Sequence, residues 1–380
     1  MFTGTEFGLY FSIDGGENWN EWGDDYPNVS TMDLAIQERE ADLVMGTFGR
    51  SVWVLDDIRP LRALAAEGKE LLSKKVNAFP APDTYLAFER EAAGDIYAGD
   101  AIYAGENREL GAMLSFSLSD LKMKEGASKA ATKDTVNVQI MNASGEVIRN
   151  LKVEAGKGVN RFVWKLDKKG VRSPNMPAKK ATEEEGGIPI LPGTYTVKIK
   201  YDGDSSSTSV KVLPDPRFDI SSEAMLARSK QVDKMLKLTE LATTATDQLR
   251  EAKETISFVK KQYKSLESAK EVISQGDSLN TKIKSLLETI IPDPDVKGIL
   301  FRDDILNTKL NSAMSYLLGN KGEPSVNELL AIEKAENALK ATLAPINAFF
   351  KEQWNAYQSE VEKLEKPVVK EYEAIDVGQE

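Results

Sequence analysis

The first sixty residues alternate short apolar runs with turns that are rich in glycine, aspartate and asparagine. Three of these runs follow one another closely, at residues 33–36, 43–46 and 52–55. Apolar runs of this length between turn residues are typical of β-strands. Pro60 lacks the amide proton that a strand ladder needs, so we expect the strand pattern to end there.

A second strand pattern extends over residues 110–213. Val136, Val138 and Ile140 alternate with polar residues, as expected of a strand with one buried face. Further strands are predicted at residues 112–116, 147–148, 160–164, 191–199 and 209–213. About seven short strands in about a hundred residues are typical of an immunoglobulin-like β-sandwich, and we expect Trp164 in its core.

Two segments interrupt these strand patterns. Residues 61–109 are predicted to be a linker that packs on a domain surface and begins with a short helix over 61–72, weakened at Gly68. Residues 173–187, rich in lysine and glutamate, are predicted to form a mobile loop within the β-sandwich.

The pattern becomes helical beyond residue 217 and indicates an antiparallel α-helical bundle over residues 217–370. Ser221 or Ser222 is expected to cap the first helix. Apolar or small residues then recur at alternating spacings of three and four, as in a coiled-coil seam. They are Ala242, Ala245, Leu249, Ala252, Ile256, Val259, Tyr263 and Leu266. We expect a break near Gly276 and three or four helices in the bundle as a whole.

One octet near the start has a recognisable pattern, Ser/Thr-x-Asp-x-Gly-x-x-aromatic. Its defining positions are Ser12, Asp14, Gly16 and Trp19. Asp14 is suited to accept hydrogen bonds from turn amides, and glycine permits the positive φ of a tight turn. Trp19 is expected to fill space between neighbouring sheets.

A weaker copy of this region follows 42 residues later. The matching pairs are Gly4-Thr5 with Gly46-Thr47, Tyr10-Phe11 with Val52-Trp53, and Ile13-Asp14 with Leu55-Asp56. The offset lies in the roughly 40–45-residue range of a four-stranded propeller blade. The second copy lacks the Gly-x-x-Trp ending, and Asp56 is expected to form a turn.

The octet resembles the Asp-box of BNR-repeat β-propellers, which occur in sialidases, sortilin-type receptors and other secreted proteins that bind or cleave glycans. The runs at residues 4–10 and 46–57 are similar to the closing blades of large bacterial BNR-repeat proteins that are often labelled glycosyl hydrolases. Phe48 stands where that family usually has histidine. The resemblance implies that residues 1–60 are the last blades of an incomplete propeller, followed by the β-sandwich and the helical bundle. It also implies a secreted, periplasmic or cell-surface protein.

The composition excludes several kinds of catalytic and metal-binding site. The chain has no histidine and no cysteine, which excludes Ser-His-Asp triads, His-ligated zinc and thiol catalysis within it. Residues 1–60 contain twelve acidic residues and three arginines, a net charge of −9, which argues against nucleic-acid binding. No apolar run approaches the ~18 residues of a membrane span. No cofactor and no metal site are predicted.

Paired carboxylates are the only plausible catalytic groups, and glycoside hydrolysis needs two of them about 5–9.5 Å apart. The candidates are Glu6, Asp24, Asp25, Asp56 and Asp57. We predict no catalytic residue among them. Asp24, Asp25 and Trp22 are the candidate ligand-binding residues, and Trp22 is the tryptophan expected to be exposed.

The sequence therefore predicts a non-catalytic structural or interaction role in the carboxy-terminal portion of a BNR-repeat protein. A closed propeller needs at least about four blades, so the remainder is expected from the same polypeptide or from another chain. Two alternatives remain open. The catalytic carboxylates of a glycoside hydrolase could lie in the missing blades, or the chain could be a subunit that completes a propeller with a partner by strand addition. The expected ligand is a glycan or a protein.

Overall fold

The computed structural model describes residues 1–23, 26–87, 108–121, 133–177, 184–293 and 302–364. The protein is a multidomain combination of β-sheets and α-helices. It divides into two compact units, one of residues Met1–Gly170 and Ala181–Asp219, the other of Val171–Lys180 and Ile220–Glu380. Strands predominate in the first unit and helices in the second.

Six strands form two antiparallel sheets at the start of the first unit. They are β1 (Phe2–Thr5), β2 (Gly8–Phe11), β3 (Asn20–Glu21), β4 (Thr31–Gln37), β5 (Asp42–Thr47) and β6 (Val52–Leu55). The first sheet has the order β1–β2–β3 and the second the order β4–β5–β6. The three strands predicted within residues 33–55 are confirmed.

The two sheets share one hydrophobic core. Leu9 of β2 is fully buried in the same cluster as Leu43 and Met45 of β5. Leu43 and Met45 pair with Leu55 and Trp53 of β6, so these four side chains lie on one face of the second sheet. That face therefore packs toward the first sheet.

Helix α1 (Arg59–Glu67) follows the second sheet, and a 3-10 turn (Lys69–Ser73) follows the helix. The helix predicted over residues 61–72 is thus divided at Gly68, which has a φ of 93°. Pro60 lies in the first turn of α1, where no amide proton is required. The last strand of the second sheet ends earlier, at Leu55.

Ten further strands belong to the first unit. They are β7 (Val76–Ala78), β8 (Thr84–Leu86), β9 (Ala112–Leu118), β10 (Asp134–Met141), β11 (Val147–Ala155), β12 (Gly158–Trp164), β13 (Asp167–Lys168), β14 (Ile188–Pro189), β15 (Gly193–Tyr201) and β16 (Asp204–Pro214). A five-stranded sheet has the order β11–β10–β15–β16–β8, a three-stranded sheet the order β12–β9–β7, and β13 pairs with β14.

Both larger sheets contribute to a second core, and Trp164 lies in it with no exposed surface. The indole Nε1 of Trp164 donates a hydrogen bond to the carbonyl oxygen of Asp167 at 2.9 Å. Its ring meets Tyr195 edge-on, with 5.4 Å between the ring centroids. The core position predicted for Trp164 is confirmed.

The helical unit contains five α-helices in its described part. They are α2 (Ser222–Tyr263), α3 (Lys270–Ile290), α4 (Leu306–Gly319), α5 (Val326–Ala348) and α6 (Asn355–Glu362), with a π-helical turn (Phe349–Trp354) between the last two. Ser221 caps α2 by accepting a hydrogen bond from the amide of Ala224 at 3.2 Å. The seam from Ala242 to Val259 is buried along α2, as its spacing predicts.

The break expected near Gly276 is wrong. Helix α3 runs through Gly276, and the interruption lies earlier, where α2 ends at Tyr263 and a short 3-10 turn (Glu267–Ala269) precedes α3. A Cβ atom at Gly276 would lie 2.9 Å from the Ile256 side chain and 3.1 Å from the Tyr357 hydroxyl. This glycine therefore permits close packing instead of ending a helix.

The mobile loop expected over residues 173–187 is wrong for residues 173–177, while residues 178–183 lie outside the described residues. The stretch up to Met176 is bonded to the helical unit, whereas the Glu184 carboxylate accepts hydrogen bonds from Asn150 of β11 at 2.7 Å. The carbonyl oxygen of Arg172 accepts a hydrogen bond from the Thr243 hydroxyl at 2.7 Å, and that of Met176 accepts one from Arg250 at 3.0 Å. Arg172 also forms an ion pair with Asp247 of α2.

Candidate functional site

A hydrogen-bonded turn joins β2 to β3 and contains the Asp-box positions. The Ser12 hydroxyl donates to Asp14 Oδ1 at 2.7 Å and accepts from the Gly16 amide at 2.9 Å. The two carboxylate oxygens of Asp14 accept from the backbone amide and the side-chain amide of Asn18, at 2.9 and 2.8 Å. Gly15 and Gly16 have φ values of 75° and 100°, which glycine adopts without strain.

The hydrogen bonds of the turn also favour the ionised form of the Asp14 carboxyl. The backbone amide of Asn18, its side-chain amide and the Ser12 hydroxyl together hold the pKa of the Asp14 carboxyl well below its ordinary value. The amino group of Met1 donates to the carbonyl oxygen of Ser12 at 2.6 Å, and the Ser12 amide donates back to Met1 at 2.9 Å. The oxygens of Asp14 are therefore engaged in the turn.

The exposure of Trp19 and Trp22 is the reverse of what the sequence suggests. Trp19 was expected to fill space between sheets, but 42% of it is exposed, and its indole lies near Gly16. Trp22 is half-buried and packs edge-on against Phe11, with 5.4 Å between ring centroids. The correction has a physical reason, since Trp22 sits beside the core of the two sheets and Trp19 sits on the turn. Asp24 and Asp25 lie outside the described residues.

The hairpins β1–β2 and β5–β6 show how the repeat is built. Gly4 pairs with Leu9 in the first hairpin, and Gly46 pairs with Val52 in the second. The second loop is one residue longer, because six positions separate Gly46 from Val52 and five separate Gly4 from Leu9. The offset of 42 between Gly4 and Gly46 therefore becomes 43 on the following strands, where Leu9 corresponds to Val52.

This register relates the faces of the two sheets. Phe2, Gly4, Leu9 and Phe11 share the face of the first sheet that turns toward the second, and a Cβ atom at Gly4 would lie 2.6 Å from the carbonyl oxygen of Thr31. The corresponding face of the second sheet carries Val44, Gly46, Val52 and Val54. The side chains of Val52 and Val54 are exposed to 61% and 53%. This face is thus buried against a neighbouring sheet in the first sheet, while the corresponding face of the second sheet is exposed.

An acidic loop follows β6 and is enclosed by arginines. The corrected register makes Asp57 the counterpart of Asp14, and Asp57, not the expected Asp56, has the positive φ of a turn, 48°. Asp57 is buried, accepts from Arg59 at 2.8 Å, and donates its amide to Asp42 at 2.8 Å. Its second oxygen, Oδ2, is buried and accepts no hydrogen bond from the described residues.

The loop after β6 is also hydrogen-bonded to strand β12. Arg161 of β12 donates to the carbonyl oxygen of Asp57 at 3.0 Å. Burial raises the pKa of the Asp56 carboxyl, and the negative charge of Asp42 adds to the rise, while Arg108 and Arg161 oppose it. Arg59 also donates to the backbone of Glu40 at 2.7 Å, which ties the loop to the β4–β5 turn.

The acidic residues of the first two sheets have structural contacts. Asp14 accepts hydrogen bonds from Ser12 and Asn18, and Asp42 accepts one from the Asp57 amide. Asp57 accepts from Arg59 through one of its two oxygens, and Glu6 lies exposed on the β1–β2 turn. The described residues contain no group of three or more acidic side chains arranged to hold a metal ion. Sequence reasoning missed Arg161, because the 104 positions between Arg161 and Asp57 leave no local signal of their contact.

Comparison with known proteins adds little. Neither a protein-family profile nor a curated protein sequence matches the chain. Among solved structures the chain is similar to one described as "Biofilm associated protein - BSP domain", with 8% sequence identity and a TM-score of 0.18. The match covers 52% of this chain and 22% of that one, so the chain spans about a fifth of its length. A likeness at this TM-score carries no argument about fold or function.

Across the described ranges, no helix combines the length and the apolar character that crossing a bilayer requires.

Proposed function

We propose that this chain is the carboxy-terminal region of a secreted bacterial BNR-repeat propeller protein, with a non-catalytic structural or interaction role. Residues 1–60 would be its last propeller blades, residues 110–213 an immunoglobulin-like β-sandwich, and residues 217–370 a helical bundle. The ligand would be a glycan or a protein at the cell exterior, and the rest of the propeller a partner on the same or another polypeptide.

One observation carries the proposal, the hydrogen-bonded Asp-box turn on the first of two stacked, repeated sheets. Ser12, Asp14 and Gly16 make the contacts that such a turn requires, and Asn18 adds two more. The first hairpin places Leu9 against the second sheet, and the second sheet places Leu43 and Met45 against the first, which is the way adjacent propeller blades bury their surface.

The other two regions support the same architecture. Two sheets enclose Trp164 and Tyr195, and the Tyr195 hydroxyl donates to the carbonyl oxygen of Leu191 at 2.6 Å. A tyrosine that bonds to the backbone a few residues upstream is a feature of immunoglobulin-like sandwiches. Helix α2 buries an apolar seam along its length, as a helix of a bundle does.

The non-catalytic assignment rests on how the acids are used. Glycoside hydrolysis needs one carboxyl group to donate a proton and a second to act as base or nucleophile across a sugar. Asp14 and Asp57 are held in turns, and Asp42 bonds the Asp57 amide. Removing either Asp14 or Asp57 would therefore disturb the fold before any chemistry.

A glycan microarray and an assay of reducing-sugar release test the proposal together. We expect the purified chain to release no sugar from any glycoside substrate. We expect glycan binding, where it is found, to be lost in an Asp24→Asn/Asp25→Asn double variant and to persist in a matched Asp219→Asn variant. Sugar release by the chain would sink the non-catalytic assignment, and binding unchanged in the double variant would remove Asp24 and Asp25 from the site.

A further inference from the structure

The outer edge of β6 differs from the corresponding edge in the first sheet. Strand β3 pairs there with β2, with Tyr10 opposite Glu21 and Phe11 opposite Asn20. By the structural register, Tyr10 and Phe11 correspond to Trp53 and Val54 of β6. Within the described part of the chain no strand pairs with this edge of β6, and the chain continues from it into α1.

The face beside that edge is bare as well. Leu9 is fully buried between the two sheets, whereas its counterpart Val52 is 61% exposed. Val54, the counterpart of the half-buried Phe11, is 53% exposed. An unpaired strand edge beside exposed aliphatic side chains is a template for pairing with a further strand.

Charge indicates which kind of chain fits. Residues 1–60 carry a net charge of −9, and Asp33 lies exposed on the same face as Val52. A second copy of this chain that paired through the same strand would bring a second charge of −9 to the contact, which like-charge repulsion opposes. A basic partner gains from the same charge.

We propose that β6 accepts an antiparallel strand from another protein chain, one that places aliphatic side chains beside Val52 and Val54 and carries lysine or arginine at its ends. The added strand takes the position that β3 takes on β2 and pairs with Trp53 and Val54. This inference rests on the proposed interaction role and names the class of partner and the site of contact.

Amide hydrogen exchange at residue resolution tests the site with three synthetic eight-residue peptides. The first alternates valine and threonine between terminal lysines, the second carries glutamate in place of the lysines, and the third has two central prolines. We expect the lysine peptide to slow exchange at the β6 amides by about tenfold or more, because edge amides become hydrogen-bonded. The proline peptide lacks strand amides and should leave β6 unchanged.

Two variants distinguish binding at the exposed face of β6 from a general effect of an added lysine. Val54→Lys should weaken binding of the lysine peptide about tenfold through repulsion and loss of the aliphatic contact, at an unchanged melting temperature. Val147→Lys, on the exposed side of β11, is the matched control and should bind as the unmodified protein does.

Three results would overturn the proposal. One is no slowing at β6 with the lysine peptide up to about 1 mM, the weakest affinity expected of a specific contact. A second is equal binding of the glutamate peptide, which refutes the basic partner. The third is slowing at β6 on raising the protein concentration without peptide, which makes the occupant a second copy. Glycan binding without sugar release would leave the proposed function standing in each case.

Discussion

The Ser12 hydroxyl is buried and organises the Asp-box turn. It accepts from the amides of Gly16 and Asp14, at 2.9 and 3.3 Å, and donates to the Asp14 carboxylate. Ser12→Ala leaves those amides without this partner, so we expect a loss of about 1–2 kcal/mol in the free energy of unfolding. Urea unfolding monitored by tryptophan fluorescence measures it.

The matched control for that substitution is Ser207→Ala, since Ser207 is an exposed serine on β16 of the same unit. Its effect should lie within about 0.5 kcal/mol of zero. If Ser12→Ala proves equally neutral, the turn is not held by its hydroxyl.

Glu328 gives the helical unit a dependence on acid. It is buried, bonds to Arg228 at 2.7 Å, and accepts the Ser325 amide at 2.7 Å in a capping box. Burial alone would raise the pKa of its carboxyl, but the bonds from Arg228 and Ser325 outweigh that and lower it from 4.5 to about 2. Because the pKa is lowered, the contribution of Glu328 to folding stability is complete at pH values above 4.5 and is lost as the pH falls toward 2.

We therefore expect the melting temperature of the helical unit, followed by circular dichroism at 222 nm, to fall between pH 4.5 and pH 2. Glu328→Gln should lower stability at pH 7 by about 1–3 kcal/mol and flatten part of that acid dependence, because the neutral amide has no charge to lose. Glu333→Gln on the exposed side of α5 is the control. Parallel pH profiles for Glu328→Gln and the unmodified protein would refute the assignment.

At the scale of elements, the strands and helices were largely predictable, because periods of two and of three to four mark faces buried over a whole element. The interruption between α2 and α3 was not. Gly276 suggests a break by its intrinsic propensity, but the close approach of Ile256 and Tyr357 requires a residue without Cβ. Propensity is a local quantity, and the packing that overrides it involves a residue 81 positions away.

Gly276→Ala tests that explanation. Alanine gains about 1 kcal/mol in helix propensity, but overpacking against Ile256 and Tyr357 costs about 1–3 kcal/mol, so we expect a net loss of stability. Thermal unfolding measures it against Gly319→Ala, where a Cβ atom would meet nothing within 4 Å. A gain in stability for Gly276→Ala would show that the glycine serves no packing role.

At the scale of the whole molecule, the contacts that join distant segments were harder to predict. The Asp-box turn was predictable in its residues, because Ser12, Asp14 and Gly16 act within one short stretch. The bracing of Asp57 by Arg161 was not, nor was the bonding of residues 171–177 to the helical unit. Such contacts join distant positions, and a single sequence carries no local pattern for them.

The separate cores of the two units lead to a last prediction. Trp164 is fully buried among the strands of the first unit, so Trp164→Ala should cost about 3–5 kcal/mol and lower the melting temperature of that unit by roughly 10 °C. The helical transition at 222 nm should stay where it is, because Trp164 belongs to the other unit. Trp164→Phe, a milder change, provides the same comparison if the alanine variant does not fold. A single transition that shifts as a whole in both variants would show instead that the two units unfold as one.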